Sequence, residues 1–136
     1  SAYIQLAVQK HILPHITDAE GKFQFVYVKD VANAILSCLL NENACQNTFN
    51  ICNDVISDYN SFYEELKQVI DVPVKELKIT VPEALAQNIP LPFPLTSTET
   101  QLYTNEKSIH MLGMQYTPFS EGLQKTYRAF KNVFCT

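Results

Sequence analysis

Two of the three histidines, the four cysteines and a thin scatter of cations are the side chains of this 136-residue chain best placed to do chemistry. His11 and His15 are four apart, the spacing that lets two imidazoles on one helical face share a metal ion. Pro14 lies between them and would break that helix, and no carboxylate or thiol joins them at helical spacing. No metal site is expected. Cys38, Cys45, Cys52 and Cys135 contain no Cys-x-x-Cys pair, and Cys38 falls on the apolar side of a predicted helix. They read as free thiols of a cytoplasmic protein in a reducing compartment. With only three glycines, Gly21, Gly113 and Gly122, the chain has no glycine-rich loop to cradle a phosphate.

The elements that must position any site come from local patterning. Residues 3 to 13 carry a run of apolar side chains that predicts a helix ending at Pro14. Thr17 to Lys22 is polar and holds Gly21, a turn. Phe23 to Val28 is aromatic and β-branched, which predicts a short strand. Asp30 then stands as an N-cap, its carboxylate opposing the helix dipole. Apolar residues at 31, 34, 35, 38 and 39 follow a helical stripe. Thr48 to Cys52 predicts a short buried strand. Ser57 or Asp58 opens a helix whose apolar face is Tyr59, Phe62, Tyr63, Leu66, Val69 and Ile70, stopped by Asp71-Val-Pro73. Alternation from Val74 to Val81 predicts a strand with one wet face, closed by Pro82. Glu83 to Gln87 can add a helical turn. Three prolines in Ile89 to Leu95 demand an extended, stiff surface loop. Thr104 or Asn105 opens a helix that Gly113 closes in the left-handed conformation, and Ser120 begins the last helix.

At 46% hydrophobic content, residues 1–136 suffice for one domain with a real core. A formal charge of -4 disfavours nucleic acid and anionic membranes as partners. No apolar run reaches membrane-spanning length.

Four segments, in order, resemble the C-terminal part of extended short-chain dehydrogenases/reductases, the NAD(P)-dependent epimerase/dehydratase family. They are Phe25-Val-Tyr-Val-Lys-Asp-Val-Ala32, Phe49-Asn-Ile-Cys52, Lys107 with Leu112-Gly113, and Pro118 with Glu121-Gly-Leu123. The family strand normally ends Tyr-Asn-Ile-Gly. The resemblance spans about residues 10 to 130. It implies an α/β fold, α+β as an isolated fragment: the C-terminal portion of a doubly wound NAD(P)-binding fold, several helices with short strands. The N-terminal dinucleotide-binding part would be absent from this chain. NAD or NADP would be bound by the parent protein and not by this fragment, which would hold no catalytic residue. In the family a Tyr made acidic by a Lys four residues on moves the proton. Tyr63-Glu-Glu-Leu-Lys67 meets that spacing, but its helix follows the Phe-Asn-Ile strand, so it reads as an ordinary amphipathic helix.

The resemblance places Phe23, Gln24 and Tyr27 against a small-molecule substrate, with the 89–95 loop and its Phe93 as the lip of the cleft. Core packing is the competing reading for Phe23 and Tyr27, and backbone satisfaction for Asn50. Nucleotide-sugar members carry an Arg in an Arg-Asp-Phe triplet before this strand, where its fork grips pyrophosphate. Phe23-Gln24-Phe25 stands there instead, and Thr98 to Tyr103 replaces a second Arg-x-Gly-Asp segment. Both departures point to a less charged substrate. Plastid relatives that bind stem-loop RNA share the Leu91-Pro-Phe93 feature, but Ile89 to Tyr103 has no Lys or Arg, so RNA binding is not expected. Two alternatives to an enzyme part remain: a binding or regulatory protein that kept the fold without catalysis, and a free-standing interaction domain. Cut free, the Thr48–Cys52 strand would expose an edge, which predicts a homodimer covering it.

Overall fold

The computed structural model describes residues 2–39 and 41–134. Cys135 lies outside the described residues; Cys38, Cys45 and Cys52 are free thiols. In chain order the elements are α1 (Ala2–Lys10), β1 (Ile12–Ile16), β2 (Phe23–Gln24), α2 (Val28–Leu39), β3 (Ile56–Ser57), α3 (Tyr59–Val69), β4 (Lys75–Ile79), α4 (Val81–Ala86), α5 (Glu106–Leu112) and α6 (Phe119–Phe134). This is the expected mix of several helices with short strands. Two strand pairs form, β1 with β4 and β2 with β3. The chain folds as two compact units. The larger comprises residues 1–23, 57–101 and 123–136; the smaller comprises 24–56 and 102–122.

In the larger unit β1 and β4 run parallel, with Ile12 opposite Lys75 and Ile16 opposite Ile79. The helix expected through Leu13 therefore stops at Lys10, and Ile12–Ile16 becomes a strand that contains Pro14. His11, at φ 55, makes the break between helix and strand. The apolar run served both elements, and nothing local marked the boundary. Leu13 and Ile16 are buried beside Tyr3, Ile4 and Ala7 of α1 and the inner face of α3, Tyr59, Phe62, Tyr63 and Leu66. Helix α3 starts as expected: Asp58 accepts from the Ser61 amide while the Asp58 amide donates to Ser61 Oγ, a reciprocal cap. Helix α4 has the same device in Thr80 and Glu83, and Pro82 sits in its first turn, where a missing N–H costs nothing.

In the smaller unit, α2 begins at Val28, so Asp30 lies inside the first turn instead of capping it. The strand expected over Phe23–Val28 shrinks to two residues. Thr48–Cys52 forms no strand, and among the described residues no ladder partner reaches it. Phe49 and Ile51 instead pack on the buried cluster of Ala34, Leu112 and Met114. Helix α5 ends at Gly113, left-handed at φ 65, as expected.

Candidate functional site

Phe23 and Phe93, two residues expected to line a substrate cleft, meet in the larger unit. Their rings stack at 4.1 Å, and Tyr59 stands edge-on to both, at 5.9 Å and 5.5 Å. Phe62 closes the group from α3, 5.0 Å from Phe93. Phe23 is buried; Phe93 is half-buried. Such edge and offset contacts suit ring quadrupoles and add to simple burial. The Tyr59 hydroxyl donates to the Phe93 carbonyl at 3.0 Å and accepts from the Phe93 amide at 3.1 Å. Burial pushes the Tyr59 phenol up, a shift opposed by the Phe93 backbone bond and reinforced by Glu99. The Pro-rich segment has no helix or strand, as expected, and it is stapled down. Glu20 N donates to Leu95 O at 2.9 Å, and a Cβ on Gly21 would lie 2.0 Å from Pro94 O. Only glycine lets the two backbones come that close.

Gln24 and Tyr27 belong to the smaller unit. The Gln24 carboxamide pairs with the N–H and C=O of one residue as a neighbouring strand would. Its Nε2 donates to Tyr103 O at 3.0 Å and its Oε1 accepts from Tyr103 N at 2.7 Å. The second Nε2 proton goes to Asn53 O at 2.9 Å. Both donors of the amide are thus spent on backbone. Asn53 and Asn105 continue the mesh, donating to Thr117 O and Cys52 O, each at 2.9 Å. Asp30, almost fully buried, accepts from Thr117 N at 2.8 Å and Thr117 Oγ1 at 2.9 Å. These polar anchors hold Tyr103 with its backbone clamped and its side chain about half exposed. Tyr27 is half-buried; its carbonyl accepts from the Asp30 amide at the start of α2, and Gly122 lies against its Cβ. Burial pushes the Cys52 thiol up, with Asp54 adding to the effect.

Sequence reasoning did not assign Asn53, Asn105, Thr117 or Tyr103 to this mesh. Their partners lie tens of residues away, and no spacing rule connects them. Asn50 is exposed and does not line this mesh. His15 is held by Glu76 at 2.6 Å and Asn60 at 2.9 Å, while His11 Nδ1 sits 3.2 Å from Pro73 O. Among the described residues no group of three His, Cys, Asp or Glu side chains is arranged to hold a metal. Among the same residues no helix is long and apolar enough to cross a membrane. Tyr63 stacks on His15 at 4.2 Å and lies buried in α3, with Lys67 Nζ 5.5 Å from its ring. Burial, the largest cause, pushes its phenol up, the opposite of an activated proton donor.

The fold matches a portion of several solved epimerases and short-chain dehydrogenase/reductase-superfamily proteins. Among solved structures, the chain is similar to a UDP-glucuronic acid 4-epimerase from Bacillus cereus in complex with UDP-glucuronic acid and NAD (TM-score 0.71, 15% identity, 97% of this chain and 39% of that one). It is similar to a UDP-glucose 4-epimerase with UDP-glucose from Thermotoga maritima (TM-score 0.67, 18% identity, 96% of this chain and 38% of that one). A superfamily protein from Agrobacterium tumefaciens with bound NAD also matches (TM-score 0.54, 16% identity, 90% of this chain and 34% of that one). The chain thus spans less than two fifths of the length of these neighbours. No protein-family model matches it, and no curated protein matches it in sequence.

Proposed function

We propose that this chain is the substrate-binding region of an NAD(P)-dependent epimerase, dehydratase or reductase acting in the cytoplasm, and is not itself catalytic. The observation that carries the reading is the match of 96–97% of the chain to one portion of two UDP-sugar epimerases. Residues 1–136 serve as one functional region, and the cofactor is held by another part of the same protein. Tyr27 presents its ring to the substrate, and Gln24 positions the 103 segment beside it through the amide clamp. Phe23 and Phe93 give the larger unit a rigid aromatic wall.

The Arg position of the triplet is taken by Phe23, whose buried ring stacks on Phe93, so it supplies no cationic fork for a pyrophosphate. The substrate is accordingly less charged than a nucleotide-diphosphate sugar. Calorimetric titration of NAD+, NADP+ and UDP-glucose into the natural full-length protein and into the 136-residue chain tests this. Cofactor binding to the full-length protein alone, with no heat from UDP-glucose, is the expected result. No dinucleotide binding by either would replace the enzyme reading with a binding or regulatory protein that keeps the fold. Homodimerisation is a separate element of the proposal, checked by light scattering on the same samples.

A further inference from the structure

Helix α2 is apolar on two sides. One side faces its own unit through buried Ala34 and half-buried Val31 and Cys38. The other carries Val28, Ala32, Ile35, Leu36 and Leu39, which at helical spacing fall within an arc of about 100°. The four large ones are 72%, 58%, 57% and 76% exposed. Its polar residues, Lys29, Asp30, Asn33 and Ser37, keep to one arc, and the apolar remainder is wider than its own unit covers; a contiguous exposed apolar patch of this kind marks an interaction surface. The asymmetry extends beyond α2. Of the twelve large apolar side chains left exposed among the described residues, all but Leu85 and Val133 belong to the smaller unit.

We infer that the outer face of α2 is a docking surface for an apolar α/β layer of the same protein. That layer would come from the larger part of the fold, which the solved neighbours carry and this chain does not match. The inference rests on the proposed function only in taking the rest of that fold as the occupant. The favoured occupant is a layer, not a second α2. Exposed apolar residues also stand at Val55 and Ile56 and from Leu102 to Ile109, a spread that a single helix-on-helix contact would leave uncovered.

The test compares Ile35→Lys, Leu39→Lys and a control, Leu85→Lys, in the 136-residue chain and in the natural full-length protein. Melting temperature, sedimentation velocity and NAD+ binding are read for each. In the 136-residue chain, all three variants should melt within about 2 °C of the parent sequence, as exposed positions do. In the full-length protein, Ile35→Lys and Leu39→Lys should lower the melting temperature by about 5 °C or more, because an ammonium would be forced into an apolar contact. Leu85→Lys should not. Equally small effects in both proteins would overturn the inference. So would a dimer of the 136-residue chain that Leu39→Lys dissociates while leaving the full-length protein unaffected, which would assign the face to a second copy. Loss of stability in a full-length protein that binds no NAD+ would sustain the docking surface and sink the enzyme reading; normal NAD+ binding with no loss would do the reverse.

Discussion

Replacing Asp30 should cost more than replacing any other side chain of the smaller unit's polar mesh. The carboxylate is 3% exposed and receives two donors from one residue, the Thr117 amide and hydroxyl. Hydrogen bonds to a charged group contribute about 1.5–3 kcal/mol each. Asp30→Ala removes both and orphans a backbone N–H, so the loss should be about 3–6 kcal/mol, a large share of the roughly 5–15 kcal/mol available to a domain. Such a variant can fail to fold, so two milder ones keep the reasoning testable. Asp30→Asn retains one oxygen for the Thr117 amide, and its NH2 can donate to the Thr117 hydroxyl once that hydroxyl rotates. Only the charge assistance is lost, about 1–2 kcal/mol. Thr117→Val removes one bond and should cost about 1.5–3 kcal/mol. Urea unfolding followed by circular dichroism measures all three. Asp30→Asn as damaging as Asp30→Ala would refute the two-donor account, and Asp30→Ala costing under about 1 kcal/mol would refute the anchor itself.

Three further outcomes are expected. Gly21→Ala would drive a Cβ into Pro94 O and should cost more than about 2 kcal/mol, whereas Gly113→Ala meets open space and should lose only about 1 kcal/mol to its left-handed backbone; equal costs in urea unfolding would contradict the close approach. Tyr59→Phe deletes both bonds to the Phe93 peptide. It should destabilise by about 1–3 kcal/mol and speed amide exchange at Phe93, and unchanged exchange would mean the segment is held by ring packing alone. Asp71, Glu76 and Glu83 are held below the ordinary carboxylate range by hydrogen bonds, first from Lys131, His15 and the Thr80 amide respectively. The unfolded chain therefore binds more protons at low pH, so this stability is present above about pH 4–5 and lost as pH falls through the lower folded values. Melting temperature should be flat near neutrality and fall below about pH 4; a value unchanged at pH 3 would contradict it.

What was legible in the sequence follows the range of the signals. Helix α3 could be read from Asp58 and its apolar stripe, and α5 from Gly113, because caps and periodicity act within a few residues. Strand β1 could not, because its partner β4 lies about sixty positions on and its apolar residues continue the pattern of α1. Thr48–Cys52 has strand composition but no partner, and composition alone makes no ladder. Asp30 looked like a cap because it stands at a helix start; its true partner, Thr117, is reached only through the fold. Gln24 was noticed only as the middle residue of a triplet that departs from Arg-Asp-Phe, and nothing nearby in sequence revealed that its amide would hold Tyr103.

Pro14 in β1 has an effect on how this chain meets other chains. The bonds from Lys75 N to His11 O and from Thr17 N to Ile79 O show that the odd-numbered residues of β1 face β4. Residue 14 therefore turns its backbone to the opposite edge, and a proline there has no N–H to offer. Pro14 is also buried, less than 2% exposed, so the middle of this five-residue edge lacks a donor and is covered in the folded molecule. The parallel pair can be completed from within, but it is a poor template for strand addition, so β1 is protected against runaway association while the molecule folds.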